Sequence, residues 1–156
     1  MHETAQNVLV AASNVSYFLV ALWLHHTGHK YGWMLVVVGL VSMVFHLIPD
    51  ERVAYWTDIT VANATILWFL AVYGFASHHT NYQLVFASLG VFLVGLVLFE
   101  TSCKNSDCNR ETNKYAVMHS LWHGLTALAL FLLVKSTDPT LRWSIRPRLS
   151  IRSKTE

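Results

Sequence analysis

Two histidines, His119 and His123, stand four residues apart near the start of an apolar segment. On a helix this spacing places both imidazoles on one face, about one turn apart, so that both can reach a single metal ion. Zinc proteins use two histidines at this spacing repeatedly. Ser42 and His46 share a helix face in the same way, near the end of an earlier apolar segment. These residues predict a metal centre built from more than one helix.

The elements that must position these residues are membrane helices. Of the 156 residues, 54% are hydrophobic and only 13% are charged, which leaves too little polar surface for a soluble domain. The apolar residues fall into blocks near the length that spans a bilayer. These blocks cover about 6–24, 32–48, 54–76, 82–99 and 115–134. We therefore expect an all-α membrane protein, a bundle of about five transmembrane helices in a single domain over 1–135.

The order of the spans brings the polar residues together. With five spans, the second ends on the side of the membrane where the third and the fifth begin. His46 lies near the end of the second span, Asp58 near the start of the third, and His119 and His123 near the start of the fifth. Ionisable residues inside a membrane are costly and usually mark a functional site. The sequence thus predicts one layer of ionisable residues drawn from three helices.

Three histidines suit a catalytic zinc ion, which commonly has three protein ligands and one open position. We expect His46, His119 and His123 to bind Zn²⁺, which makes water nucleophilic near neutral pH. Asp58 would take the proton of that water or hold a ligand, and Ser42 would orient the water or a substrate carbonyl. The plainer alternative is that the histidines are hydrogen-bonded packing residues, with Asp58 as a helix N-cap and Ser42 bonded to its own backbone.

At these positions the sequence resembles the CREST superfamily of membrane hydrolases, which includes alkaline ceramidases, adiponectin receptors and myomaker-like proteins. Ser42 with His46, then Asp58, then His119 with His123 match the superfamily's pattern, and the string HSLWH is similar to the myomaker-related branch. About five positions carry the resemblance. Its members usually have seven helices, whereas this chain has about five. Removing two helices keeps the ends of the remaining helices on the same sides of the membrane, so the site can still form. The wall that binds the lipid is then incomplete unless a second copy of the chain supplies the missing part.

The resemblance implies a zinc-dependent hydrolase of a lipid amide or ester, such as ceramide, with zinc on the three histidines and with Asp58 and Ser42 at the metal's water. The alternative is a non-catalytic receptor or fusion-type protein in which zinc clamps three helices. A proton pathway through the histidines is a third interpretation. A membrane lipid is the expected substrate; a homo-oligomer is left open, because nothing in the sequence indicates a dimer.

The ends of the chain predict its orientation. Met1 to Thr4 carry an acid and no Lys or Arg, so no cleavable signal peptide is expected. The segment 136–156 is basic, and the positive-inside rule places it in the cytosol as a disordered tail, with the N-terminus luminal or extracellular. The polar loop between the last two spans then faces an oxidising compartment, which favours a disulfide between Cys103 and Cys108. Nucleic-acid binding is not expected at a net charge of +2.

A second group of histidines lies toward the predicted cytosolic side, namely His25, His26, His29, His78 and His79. His25 and His29 are four apart, but Gly28 interrupts the turn between them. Solvated loop histidines are the favoured interpretation, with a metal or proton site as the alternative.

Overall fold

The computed structural model describes residues 2–47, 51–75, 80–102 and 113–138, and its regular elements in these ranges are all helical. The elements are α1 (His2–Ser13), α2 (Val15–His26), α3 (Gly32–Leu47), α4 (Glu51–Phe69), a π-helical segment (Leu70–Phe75) that continues α4, α5 (Tyr82–Ser102) and α6 (Asn113–Lys135). This confirms the predicted all-α class.

Four helical segments are long and apolar enough to cross a membrane: Ala5–His26, Trp56–Phe75, Tyr82–Ser102 and Asn113–Lys135. The remaining predicted span, α3, has 16 residues and is shorter than these four. Large apolar side chains also cover the outside of the bundle; Leu22, Leu67 and Phe86 are 65%, 65% and 70% exposed. Together with the length of these helices, such an apolar surface fits a lipid surrounding, because exposing it to water would cost free energy. The chain is therefore a multi-pass membrane bundle.

The first membrane segment is broken between α1 and α2 at Asn14. The buried Asn14 side chain donates through Nδ2 to the carbonyls of Val10 and Ala11, both at 3.3 Å. The Asn14 and Tyr17 amides bond to carbonyls three residues back, which tightens the turn. α1 packs against both α3 and α6, so the break lies beside the two helices that carry the histidines.

α5 and α6 form the most extensive helix pair in the described part of the chain. Gly95 allows this close approach, since a Cβ atom there would lie 3.0 Å from Cε3 of Trp122. The Trp122 ring packs between Phe92 and Phe99, with centroid distances of 5.7 and 5.4 Å. This contact fixes α6 beside the neighbouring His123.

Candidate metal centre

Three imidazole rings converge inside the bundle. His46 lies one residue before the end of α3, and His119 and His123 lie on successive turns of α6. Their ring centroids are 4.8 Å (His46 to His119), 5.3 Å (His46 to His123) and 5.0 Å (His119 to His123) apart. All three residues are buried. The predicted convergence of the three histidines from two helices is present.

Asp58 adds a carboxylate from a third helix. Its Oδ2 lies 3.7 Å from Nε2 of His46, and its side chain is only 13% exposed. Because α4 begins at Glu51, Asp58 lies about two turns inside the helix, so the N-cap interpretation is wrong. The four residues His46, Asp58, His119 and His123 each offer a ligand atom within 4.8 Å of the others.

The donor set fits a metal ion. Donor atoms around a tetrahedral zinc lie about 3.4 Å from one another, given a metal–nitrogen distance of about 2.0–2.1 Å. Side-chain rotations on binding would have to shorten separations of up to 4.8 Å. His46 Nε2 is buried and has no hydrogen-bond partner within 3.5 Å among the described residues, with Oδ2 of Asp58 3.7 Å away, so a bound cation would give this nitrogen a closer partner. Imidazole and carboxylate together can therefore hold a transition-metal ion in this bundle.

Ser42 belongs to the same site. It is one turn before His46 on α3 and is 1% exposed. Its hydroxyl oxygen lies 3.3 Å from Nε2 of His123, across the bundle. The plainer interpretation from the sequence, in which the Ser42 hydroxyl bonds only to the backbone of its own helix, does not account for this contact with another helix. Ser42 is therefore placed beside a ligand nitrogen and next to any group held there.

Each histidine also presents Nδ1 to a hydroxyl group outside the cluster. Ser13 Oγ lies 2.8 Å from Nδ1 of His123, Tyr115 Oη 3.4 Å from Nδ1 of His46, and Ser102 Oγ 3.5 Å from Nδ1 of His119. The sequence analysis missed these outer partners. A serine within an apolar segment, as at Ser13, was the available signal, but nothing in the sequence pairs it with a histidine 110 residues away.

The second histidine group does not form a cluster comparable to this one in the described part of the chain. His25 and His26 are exposed at the end of α2. His29 packs against Trp23 and Tyr73, with ring centroids 6.1 and 5.7 Å away. His78 and His79 lie outside the described residues, as do Cys103, Cys108 and the tail after Asp138. The predicted disulfide and the predicted disordered tail therefore stay predictions.

Neither a scan against protein-family models nor searches of curated proteins and solved structures returned a match to this chain. The function of the site is therefore argued from the geometry of its own residues. The resemblance to the CREST superfamily stays a prediction based on five residues.

Proposed function

We propose that this chain is a zinc-dependent intramembrane hydrolase that cleaves an amide or ester bond of a lipid, as alkaline ceramidases do. One observation carries the proposal. The His46, His119 and His123 imidazoles and the Asp58 carboxylate, from three helices, meet within 4.8 Å in the interior of a membrane bundle. Burying ionisable side chains inside a membrane bundle costs free energy. A hydrolytic metal centre would give each of the four side chains a function, as a metal ligand or as a proton acceptor.

The three histidines would hold the zinc ion, with Asp58 at its edge. Zinc supplies Lewis-acid chemistry, which polarises a carbonyl and makes water a nucleophile near neutral pH. Imidazoles bind a metal as neutral ligands, so they would not cancel the positive charge of the zinc ion inside the apolar bundle. That charge also favours an ionised Asp58 carboxylate.

Asp58 and Ser42 would then divide the remaining work. Asp58 is the base that takes a proton from water, and the same group returns it to the amine or alcohol that leaves. Ser42 is the hydroxyl that donates a hydrogen bond to the carbonyl oxygen as negative charge develops there. The burial of Ser42 strengthens that hydrogen bond, because little water competes for it.

A lipid substrate would enter from the side of the bundle. At about 1.5 Å per residue, His119 and His123 lie about 9 and 15 Å along α6 from its first residue. If α6 begins near the membrane surface, as its polar first residues Asn113 and Lys114 suggest, the histidines would lie within reach of the amide or ester linkage of a lipid. Because the three histidines and Ser42 are almost completely buried, the helices would have to separate locally to admit the substrate.

A structural metal site is the second candidate, and the position of Asp58 favours it. Three histidines and one carboxylate make four protein ligands, the number that closes a structural zinc site to water. With Oδ2 of Asp58 only 3.7 Å from Nε2 of His46, a small movement would bring it into the metal's shell. The protein would then be a receptor or fusion-type membrane protein with zinc as a clamp.

Lipid turnover separates the two candidates. Purified, zinc-loaded protein in nanodiscs is offered ceramide and ester-linked lipids, with wild type, Asp58→Ala and Thr60→Ala compared. Thr60 is a matched control, since it is exposed on the same helix and bonds its own backbone. We expect wild type and Thr60→Ala to cleave an amide or ester, and Asp58→Ala to be about 10²–10⁴-fold slower while still binding zinc. Zinc-loaded wild type that cleaves none of these lipids would favour the structural role.

A further inference from the structure

The Ser13 hydroxyl, at the end of α1, makes two short contacts. Its Oγ lies 2.6 Å from the carbonyl oxygen of Val10 and 2.8 Å from Nδ1 of His123. A serine hydroxyl carries one proton, and a backbone carbonyl can only accept. The Ser13 proton therefore goes to Val10, and the contact with His123 requires that Nδ1 carries a proton and donates it to Ser13.

We propose that Ser13 is a positioning residue of the metal centre, which holds His123 in the tautomer that has its proton on Nδ1 and its lone pair on Nε2. This inference rests on the proposed zinc site. Metal-binding histidines commonly donate their second ring N–H to an acceptor that fixes both tautomer and orientation. Here the acceptor is the Ser13 hydroxyl, which is made an acceptor by its bond to Val10.

The other ring nitrogen is compatible with this assignment, because the Ser42 hydroxyl beside it can either donate or accept. Nε2 of His123 lies 3.3 Å from the Ser42 hydroxyl, on the side of the ring that faces the cluster. With the proton on Nδ1, Nε2 accepts from Ser42 when no metal is bound and is the nitrogen that can bind a cation. Ser13 and Ser42 thus contact opposite edges of one imidazole.

Ser13 is the last residue of α1, next to the break at Asn14, and α2 begins at Val15. The Ser16 hydroxyl lies 3.0 Å from the Ser13 carbonyl and 3.4 Å from the His123 carbonyl, so the nearer Ser13 carbonyl accepts its one proton. Tyr17 packs on the imidazole of His123, with ring centroids 6.1 Å apart. The first segment thus contacts the ring of His123 through Ser13 and Tyr17, although it provides no metal ligand of its own in the proposed set.

A weaker version of the arrangement occurs at His119. The Ser102 hydroxyl lies 2.6 Å from the carbonyl of Phe99 and 3.5 Å from Nδ1 of His119. The same direction, from His119 to Ser102, would apply if the Ser102 proton goes to Phe99. Because this contact is longer, loss of the Ser102 hydroxyl should affect metal binding less than loss of Ser13.

The test compares zinc affinity, measured by competition with a chelator, in wild type, Ser13→Ala, Ser13→Thr and Ser88→Ala. Threonine keeps the hydroxyl and its bond to the preceding turn. Ser88 is the matched control, a buried serine on α5 that donates to the Ala129 carbonyl of α6 at 2.7 Å, away from the histidines. We expect Ser13→Ala to bind zinc about 10–100-fold more weakly, Ser13→Thr to recover most of this loss, and Ser88→Ala to match wild type.

The histidine tautomer gives a second readout that needs no metal. In chelator-treated protein with ¹⁵N-labelled histidine, the His123 signals should report a proton on Nδ1, and Ser13→Ala should shift the population toward Nε2–H. Zinc binding by wild type with equal affinity in Ser13→Ala would overturn the role of Ser13 and leave the zinc site standing. A wild-type protein that binds no zinc would overturn both proposals.

Discussion

The Nε2 atom of His46, at the end of α3, lies 3.7 Å from the Oδ2 atom of Asp58, two turns into α4. This pair joins two helices that are consecutive in the chain, and α6 completes the cluster with His119 and His123. A ligand bound among these residues would therefore connect three helices at once. Metal binding should be coupled to the stability of the whole bundle.

Zinc should raise the thermal stability of the protein, because an ion that binds only the folded state shifts the unfolding equilibrium. At a free zinc concentration about 100 times the Kd, the expected stabilisation is about 2.7 kcal/mol. Thermal unfolding in detergent, with and without a chelator, measures it. His46→Ala should lose this zinc effect, and His26→Ala, an exposed histidine on α2, should keep it. An equal zinc effect in His46→Ala would argue against the site.

Gly95→Val should destabilise the α5–α6 pair by about 1–3 kcal/mol, because the added side chain meets Trp122 in a packed contact. The same substitution at Gly90 is the control, since nothing lies within 4 Å of a Cβ atom there on the same helix. Melting temperatures of the two variants in one detergent measure the difference. Equal melting temperatures would show that this close approach is unimportant for stability.

His29 should make stability depend on pH at the end of the bundle opposite the metal centre. Burial against its aromatic neighbours lowers the pKa of His29 below its ordinary value of 6.5, and nearby Lys135 lowers this pKa further while Asp138 opposes the shift. The His29 ring is therefore protonated more readily in the unfolded chain than in the folded protein. Neutral His29 does not disfavour folding above about pH 6.5, and its protonation in the unfolded chain lowers the free energy of unfolding as the pH falls below that value.

His29→Gln should therefore lose less stability than wild type between pH 7.5 and pH 5.5, measured as the change in melting temperature. The comparison uses the slope with pH rather than the absolute value, because the substitution also removes ring contacts with Trp23 and Tyr73. Identical slopes in the two proteins would contradict the assignment.

The orientation predicted from the charges can be tested by cysteine labelling. In sealed vesicles with the cytosolic face outward, a membrane-impermeant maleimide should label a Ser153→Cys variant that lacks Cys103 and Cys108. Cys103 and Cys108 of the wild type should react only after the membrane is permeabilised and the predicted disulfide is reduced. Labelling of the wild-type cysteines in sealed vesicles would show that the chain has the opposite orientation.

Much of the centre could be predicted from sequence because its signals are local. The spacing of His119 and His123 fixes a shared helix face, and the order of the spans places His46 and Asp58 in the same layer. The break at Asn14 could not be predicted, since a single polar residue inside an apolar run is compatible with an unbroken helix. The contact between Ser13 and His123 joins segments 110 residues apart, so no local pattern encodes it.

The zinc content of purified protein tests the central claim most directly. Wild type and the exposed-site control His26→Ala, purified without added chelator and analysed by atomic emission, should contain close to one zinc ion per chain. His46→Ala, His119→Ala and His123→Ala should each contain far less. A folded wild type without zinc, or three variants that each contain as much zinc as wild type, would contradict a metal centre on these histidines.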